Sequence, residues 1–143
     1  MVTFDTFVKR FDRVKPFILS ESKKILLTKE KEILDMVRAQ QHEGKGRDDK
    51  TMQSGYSTGY GKRRKKKGLQ TKFVDLHFTG KFHKSLDLVP RKEGVDILSK
   101  EPYGQYVKAN FPTSAGLTKA NSGQVSEILA DLLAPKLKKY LVG

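Results

Sequence analysis

Six cations in unbroken succession, Lys62-Arg63-Arg64-Lys65-Lys66-Lys67, are the densest chemical signal in the sequence. Their mutual repulsion favours an extended, solvated run until a polyanion neutralises it, and counterions displaced from a nucleic acid would favour that encounter. Tyr56 and Tyr60 stand just ahead of the run. Because the run lies mid-chain, between these tyrosines and a strand-like segment, it reads as a contact surface rather than as a solubilising tail. The two rings are suited to stacking on bases or to anchoring the segment on a neighbouring protein, and the second use is preferred. These eight residues are the candidate contact site for a partner or for DNA.

The rest of the reactive side chains form no recognisable catalytic pattern. His42, His77 and His83 include no pair three or four residues apart, the spacing that sets two ligands on one helical face. Asp75 and His77 share a face if their segment is a strand, which would begin a metal-dependent nuclease site. No carboxylate cluster stands nearby to complete it, and His77 between Leu76 and Phe78 reads as a half-exposed strand residue. Gly55, Gly59 and Gly61 are not followed by the Lys-Ser or Lys-Thr step of a phosphate-binding loop. Gly44-Lys-Gly-Arg-Asp lacks the strand before it and the helix after it that a dinucleotide site needs. With no cysteine, disulfides, thiolate metal sites and thiol nucleophiles are excluded, and no serine has an apparent base. The expectation is a protein that is not an enzyme and uses neither cofactor nor metal.

The charge balance points the same way as the basic run. Among 143 residues, 29 Lys and Arg face 16 Asp and Glu, a net charge of +13, which predicts an anionic partner. The hydrophobic fraction of 36% is low for a packed domain, so part of the chain is expected outside the core. No apolar run approaches a membrane span and the first residues lack the regions of a signal peptide, so the chain is expected to work in solution without a membrane partner.

Residues 1–15 read as an amphipathic helix or docking arm, with Thr3 as cap and Phe4, Phe7, Val8, Phe11 and Val14 on one face. Residues 16–143 read as a single domain. Pro16 closes the first helix and can start the next, whose apolar spacing from about 20 to 41 makes it the longest predicted helix, with two helices joined at a restart at Thr28 as the alternative. Residues 44–68 hold six of the twelve glycines, nine basic and two acidic residues, which predicts a flexible basic loop extending to about residue 72. Phe73–Phe78 reads as a strand, Thr79–Leu86 as a helical turn or two with Phe82 and Leu86 inward, and 88–98 as a hairpin turning at Pro90-Arg-Lys-Glu-Gly94. Pro102 suits the start of a helix bearing Tyr103, Tyr106 and Val107. Asn121 with Gln124 resembles a capping box before a long C-terminal helix whose apolar phase shifts at Pro135. The fold class is α+β, with N-terminal helices, a small, mostly antiparallel sheet carrying the basic loop, and a long C-terminal helix.

The order of these elements carries a resemblance. A strand, then Thr79-Gly80-x-Phe82-x-x-Ser85-Leu86, a hairpin, Tyr103-Gly-Gln-Tyr106-x-x-Ala-Asn-Phe111, a loop with Gly116-Leu117-Thr118 and a long final helix resemble the tail-completion and head-to-tail connector family of tailed bacteriophages. Versions in Bacteroidetes phages, including crAss-like phages, are the most similar. The resemblance spans roughly residues 25–141 and departs from the family at Gly104, where alanine is usual, and at Phe111-Pro112, where Phe-Gly is common. It implies a non-catalytic virion protein, assembled in the bacterial host cytoplasm into a homo-oligomeric ring at the neck. Its implied partners are the portal, other neck or tail proteins and, through the basic loop, packaged double-stranded DNA. The residue-level alternative is a free, sequence-independent nucleic-acid-binding protein.

Overall fold

The computed structural model describes residues 3–143. The side chain of Phe7, placed by periodicity on the apolar face of the first helix, lies outside the described ones. Thr3 caps α1 (Phe4–Asp12), its hydroxyl accepting from the Thr6 amide at 3.3 Å, and Asp5 sits in the first turn, where the helix dipole favours an anion. Pro16 falls in the first turn of α2 (Val14–Thr28), where its missing N–H deprives no carbonyl of a partner. The Thr28 hydroxyl donates back to the Ile25 carbonyl at 2.7 Å, and after Lys29 the chain restarts as α3 (Glu30–His42). Two helices therefore stand where one long helix was expected, broken at the alternative position.

Two larger corrections concern the middle of the chain. The expected structureless segment contains a nine-residue helix, α4 (Thr58–Lys66), which includes most of the basic run. Conversely, Phe73–Phe78 is not a strand. The Val74 amide donates to the Gln53 carbonyl at 2.9 Å, and Leu76 adopts a left-handed φ of 58°, which no extended strand tolerates. Alternation of residue types was present, but among the described residues no neighbouring strand takes up the backbone groups.

Gly80, with φ of 86°, introduces α5 (Lys81–Lys84), whose amide at Lys81 reaches the Thr79 hydroxyl at 3.3 Å. The hairpin follows as expected: β1 (Leu86–Arg91) pairs antiparallel with β2 (Gly94–Ser99), from Leu86 opposite Ser99 to Arg91 opposite Gly94. Pro90 is tolerated because each strand of a two-stranded sheet keeps one free edge. Next come α6 (Gly104–Asn110), with Tyr103 at its N-cap, and α7 (Lys119–Val142). The cap of α7 is Thr118, whose hydroxyl accepts from the Asn121 amide at 3.3 Å, rather than the Asn121–Gln124 pair. The helix is the longest described and continues through Pro135. Its half-buried residues move from Val125, Ile128 and Leu129 to Leu133, Leu137, Tyr140 and Leu141, the expected phase change.

The core gathers Leu34 and Val37 of α3, Phe82 of α5, Leu86 of β1 and Val107 of α6, with Leu76, Ile97, Phe111 and Leu117 packed around them. The Phe82 and Leu86 side chains point inward as read from the sequence. α3 also carries polar cross-links. Gln41, fully buried, donates to the Ser114 carbonyl at 2.8 Å. Gln40 donates to the Gly116 carbonyl and accepts from the Thr118 amide, fixing the loop ahead of α7. α7 lies across α2 and α1 instead, with Tyr140 stacked on Phe17 at 4.0 Å between ring centres. Gly44 leaves α3 with φ of 73°, and a Cβ there would run into the Phe73 ring.

Because Leu34 is 4% exposed at the centre of this cluster, Leu34→Ala is expected to cost about 2–5 kcal/mol in urea unfolding. A loss under about 1 kcal/mol would mean that α3 is not the core helix.

Candidate functional site

A helix with two glycines and five Lys or Arg among nine residues has little intrinsic tendency to form, so α4 depends on what it packs against. Arg64 supplies the attachment. Its side chain is 1% exposed, and its guanidinium donates from Nε to the Gln70 carbonyl at 2.9 Å and from Nη1 to the His77 carbonyl at 2.6 Å. Nη2 donates to both Asp75 carboxylate oxygens, at 3.1 and 3.2 Å. The plane also sits over the Tyr56 ring at 4.3 Å. The Asp75 carboxylate further accepts from the Gln70 amide at 2.8 Å, the His77 backbone N–H at 3.0 Å and the Tyr56 hydroxyl at 3.1 Å. Burial raises the Asp75 carboxyl, but the hydrogen bonds from Gln70 and His77 and the charge of Arg64 outweigh it and leave the group below its ordinary range. Burial, with the carboxylate beside it, pushes the Tyr56 hydroxyl up to about 12, so it remains a donor.

The basic run is therefore not one uniform surface. Arg64 faces inward and belongs to the fold, so it is withdrawn from the set of contact residues. Arg63 and Lys67, one turn apart, lie over the Phe78 ring at 5.2 and 4.8 Å. Lys62, Lys65 and Lys66 are exposed and share the remaining face. Tyr56 is half-buried against Arg64, whereas Tyr60, 36% exposed, remains at the surface.

Half of the residues singled out in the sequence converge on one groove. A concavity of about 800 Å³ lies between α4, the 74–82 segment and α6, walled by Tyr60, Phe78, Phe82, Tyr103, Tyr106 and Phe111. Tyr56, Arg64, Thr79 and Gly80 also line it. Tyr103 and Tyr106 are 44% and 68% exposed, so their rings stand at its mouth. The other motif residues serve the scaffold. The Ser85 hydroxyl donates to the Phe82 carbonyl at 2.6 Å and lies equally close to the Ser99 hydroxyl. Leu86 and Leu117 pack in or on the core, and Gly116, with φ of 115°, offers its carbonyl to Gln40.

The histidines, unrelated by sequence spacing, come together in space. His42 ends α3, His77 follows the left-handed residue Leu76, and His83 lies on α5. One ring nitrogen from each lies within 4.8 Å of the other two. His83 Nε2 donates to the Asp75 carbonyl at 3.0 Å, leaving Nδ1 as the acceptor that meets His42 Nε2 at 3.1 Å. Burial, then the neighbouring His42 and His77, push the His83 imidazole down to about 4, so it is neutral near pH 7. His77 Nδ1 is buried and has no hydrogen-bond partner among the described residues.

Sequence reasoning missed this triad because its members come from three segments, and it missed Gln40 and Gln41 although they extend the inward face of Leu34 and Val37. Polar residues in phase with a core stripe were the available signal. No protein-family model, curated protein or solved structure matches the chain. No helix of the described residues is long and apolar enough to cross a membrane.

Replacing Arg64 with methionine removes the partner of a buried carboxylate, and the expected cost in urea unfolding is about 3–5 kcal/mol. Lys65→Met, one residue along the same helix but exposed, is expected to stay within about 0.5 kcal/mol. Equal effects of the two changes would contradict the inward placement of Arg64.

Proposed function

We propose that the chain is a structural protein of a tailed-phage virion, forming a ring at the neck that joins portal to tail, and that it works by assembly rather than catalysis. The observation that carries this reading is a pair of separate apolar surfaces. On α1, Phe4 is 80% and Val8 42% exposed, an apolar face that the domain itself leaves largely in water. The aromatic groove takes none of its lining from α1, α2 or α7. Two unlike adhesive surfaces on one chain are what a heterologous, head-to-tail contact requires, and such contacts close into rings when the rotation between copies allows. The connector-like order of motifs supports the same conclusion, since Thr79, Gly80, Phe82, Tyr103, Tyr106 and Phe111 all border the groove. The exposed cations Lys62, Lys65 and Lys66 give such a ring a positive face towards an acidic partner or packaged double-stranded DNA.

The same basic face favours a second reading, a free nucleic-acid-binding protein that holds phosphates without reading bases. The two separate on substitution. If the ring reading holds, Phe4→Ser/Val8→Ser should fold normally yet fail to join purified portal in sedimentation or electron microscopy. Lys62→Ser/Lys65→Ser/Lys66→Ser should mainly weaken any salt-sensitive DNA binding. A wild-type chain that ignores portal but binds unrelated duplexes, with affinity falling steeply as salt rises, would overturn the ring in favour of the second reading.

A further inference from the structure

We propose that His42, His77 and His83 form a binding site for a divalent first-row transition ion, zinc by preference, which ties the end of α3 to the 75–83 segment. The proposal is independent of ring assembly. Imidazole nitrogen suits zinc and its neighbours, and three histidines with a solvent molecule complete a tetrahedral set.

The geometry is close to what such an ion needs. Two nitrogens about 2.1 Å from one tetrahedral zinc are about 3.4 Å apart. His42 Nε2 and His83 Nδ1 are already 3.1 Å apart, and the three donor nitrogens lie within 4.8 Å, a spread that ring rotation can close. The supporting contacts also fit. A metal-bound histidine commonly donates its other N–H to a carbonyl or carboxylate, fixing the tautomer, and His83 Nε2 does this to the Asp75 carbonyl. That carbonyl belongs to the residue clamped by Arg64, so the His83 ring is aimed by a residue that is itself held in place.

His77 supplies the observation that packing alone does not explain. Its Nδ1 is buried without a partner among the described residues, a costly state for a polar atom that a metal bond would relieve. The ring is presented by Leu76 at φ of 58°, a conformation disfavoured for leucine and held there by the Asp75 carboxylate, which accepts the His77 amide. On metal binding, the proton on His42 Nε2 moves to Nδ1 through solvent, since His42 is exposed, and both facing nitrogens then offer lone pairs to the ion.

The test uses full-length protein without a histidine tag, stripped with chelator and titrated with Zn²⁺ against a chromogenic competitor, and separately with Co²⁺. Expected results are one equivalent per chain, visible Co²⁺ bands of tetrahedral strength, and a melting temperature that rises with Zn²⁺ and falls back with chelator. His42→Ala also removes the hydrogen bond to the buried His83 Nδ1, so it should lower the metal-free melting temperature slightly, while losing at least about tenfold in affinity and nearly all of the Zn²⁺-dependent rise. His77→Gln, which can still fill the same space, should lose binding likewise. Absence of saturable one-equivalent binding by the wild-type chain, or undiminished binding by His42→Ala, would overturn the site and leave the triad as three rings packed at an angle to one another.

Discussion

A guanidinium taken out of water must have its donors occupied, and at Arg64 they are met by the carbonyls of Gln70 and His77 and the carboxylate of Asp75. An unpaired carboxylate in the same place would cost more than the pair gives back, so the two residues stand or fall together. Everything between residues 53 and 83 depends on this pair. It ties the buried Arg64 of α4 to the 70–77 segment, and it turns the chain at Asp75 so that Leu76 packs against the core while His77 joins the histidine triad. Through Tyr56, which both donates to the Asp75 carboxylate and accepts from the Asp75 amide, it also fixes the approach to α4.

α3 is the other half of the arrangement. One face delivers Leu34 and Val37 to the core, and its last turns deliver Arg38 to the His83 carbonyl, Gln40 and Gln41 to the 114–118 loop, and His42 to the histidine triad. The segment clamped by Arg64 meets α3 at His83, so the groove and the triad are two consequences of one junction. The hairpin completes the far side, where the Leu88 amide donates to Glu30 at the start of α3 at 3.1 Å.

Local signals made part of this legible. Pro90-Arg-Lys-Glu-Gly94 announced the hairpin, the spacing of Phe82 and Leu86 their inward face, and Pro135 the change of phase in α7. What remained hidden is held by contacts distant in sequence. α4 has the composition of a loop, and only a partner eleven residues away makes Arg64 a buried residue instead of one cation among six. The alternation at Phe73–Phe78 imitated a strand because sequence cannot show that no second strand is present to pair with it. Asp75 with His77 suggested only the beginning of a metal site, and His77 read as a half-exposed strand residue. Asp75 instead neutralises Arg64, while the histidine finds its companions 35 residues before it and 6 after it, at His42 and His83.

The charge pattern follows from the same division of labour. Of six adjacent cations one, Arg64, is buried against Asp75, two lie over Phe78 while staying exposed, and three share the outer face, so five of the six charges stand at the surface. If the Arg64–Asp75 pair orders residues 53–83 within the isolated chain, amide hydrogen exchange will register it. Gly61, Leu69 and Val74 donate to the carbonyls of Ser57, Arg64 and Gln53 at 2.7, 3.0 and 2.9 Å, so in the free protein they should exchange slowly and as one cooperative unit. In Arg64→Met the three should lose protection together while α2 keeps its own. Exchange at unprotected rates in the wild-type chain, or protection that Arg64→Met leaves unchanged, would contradict it.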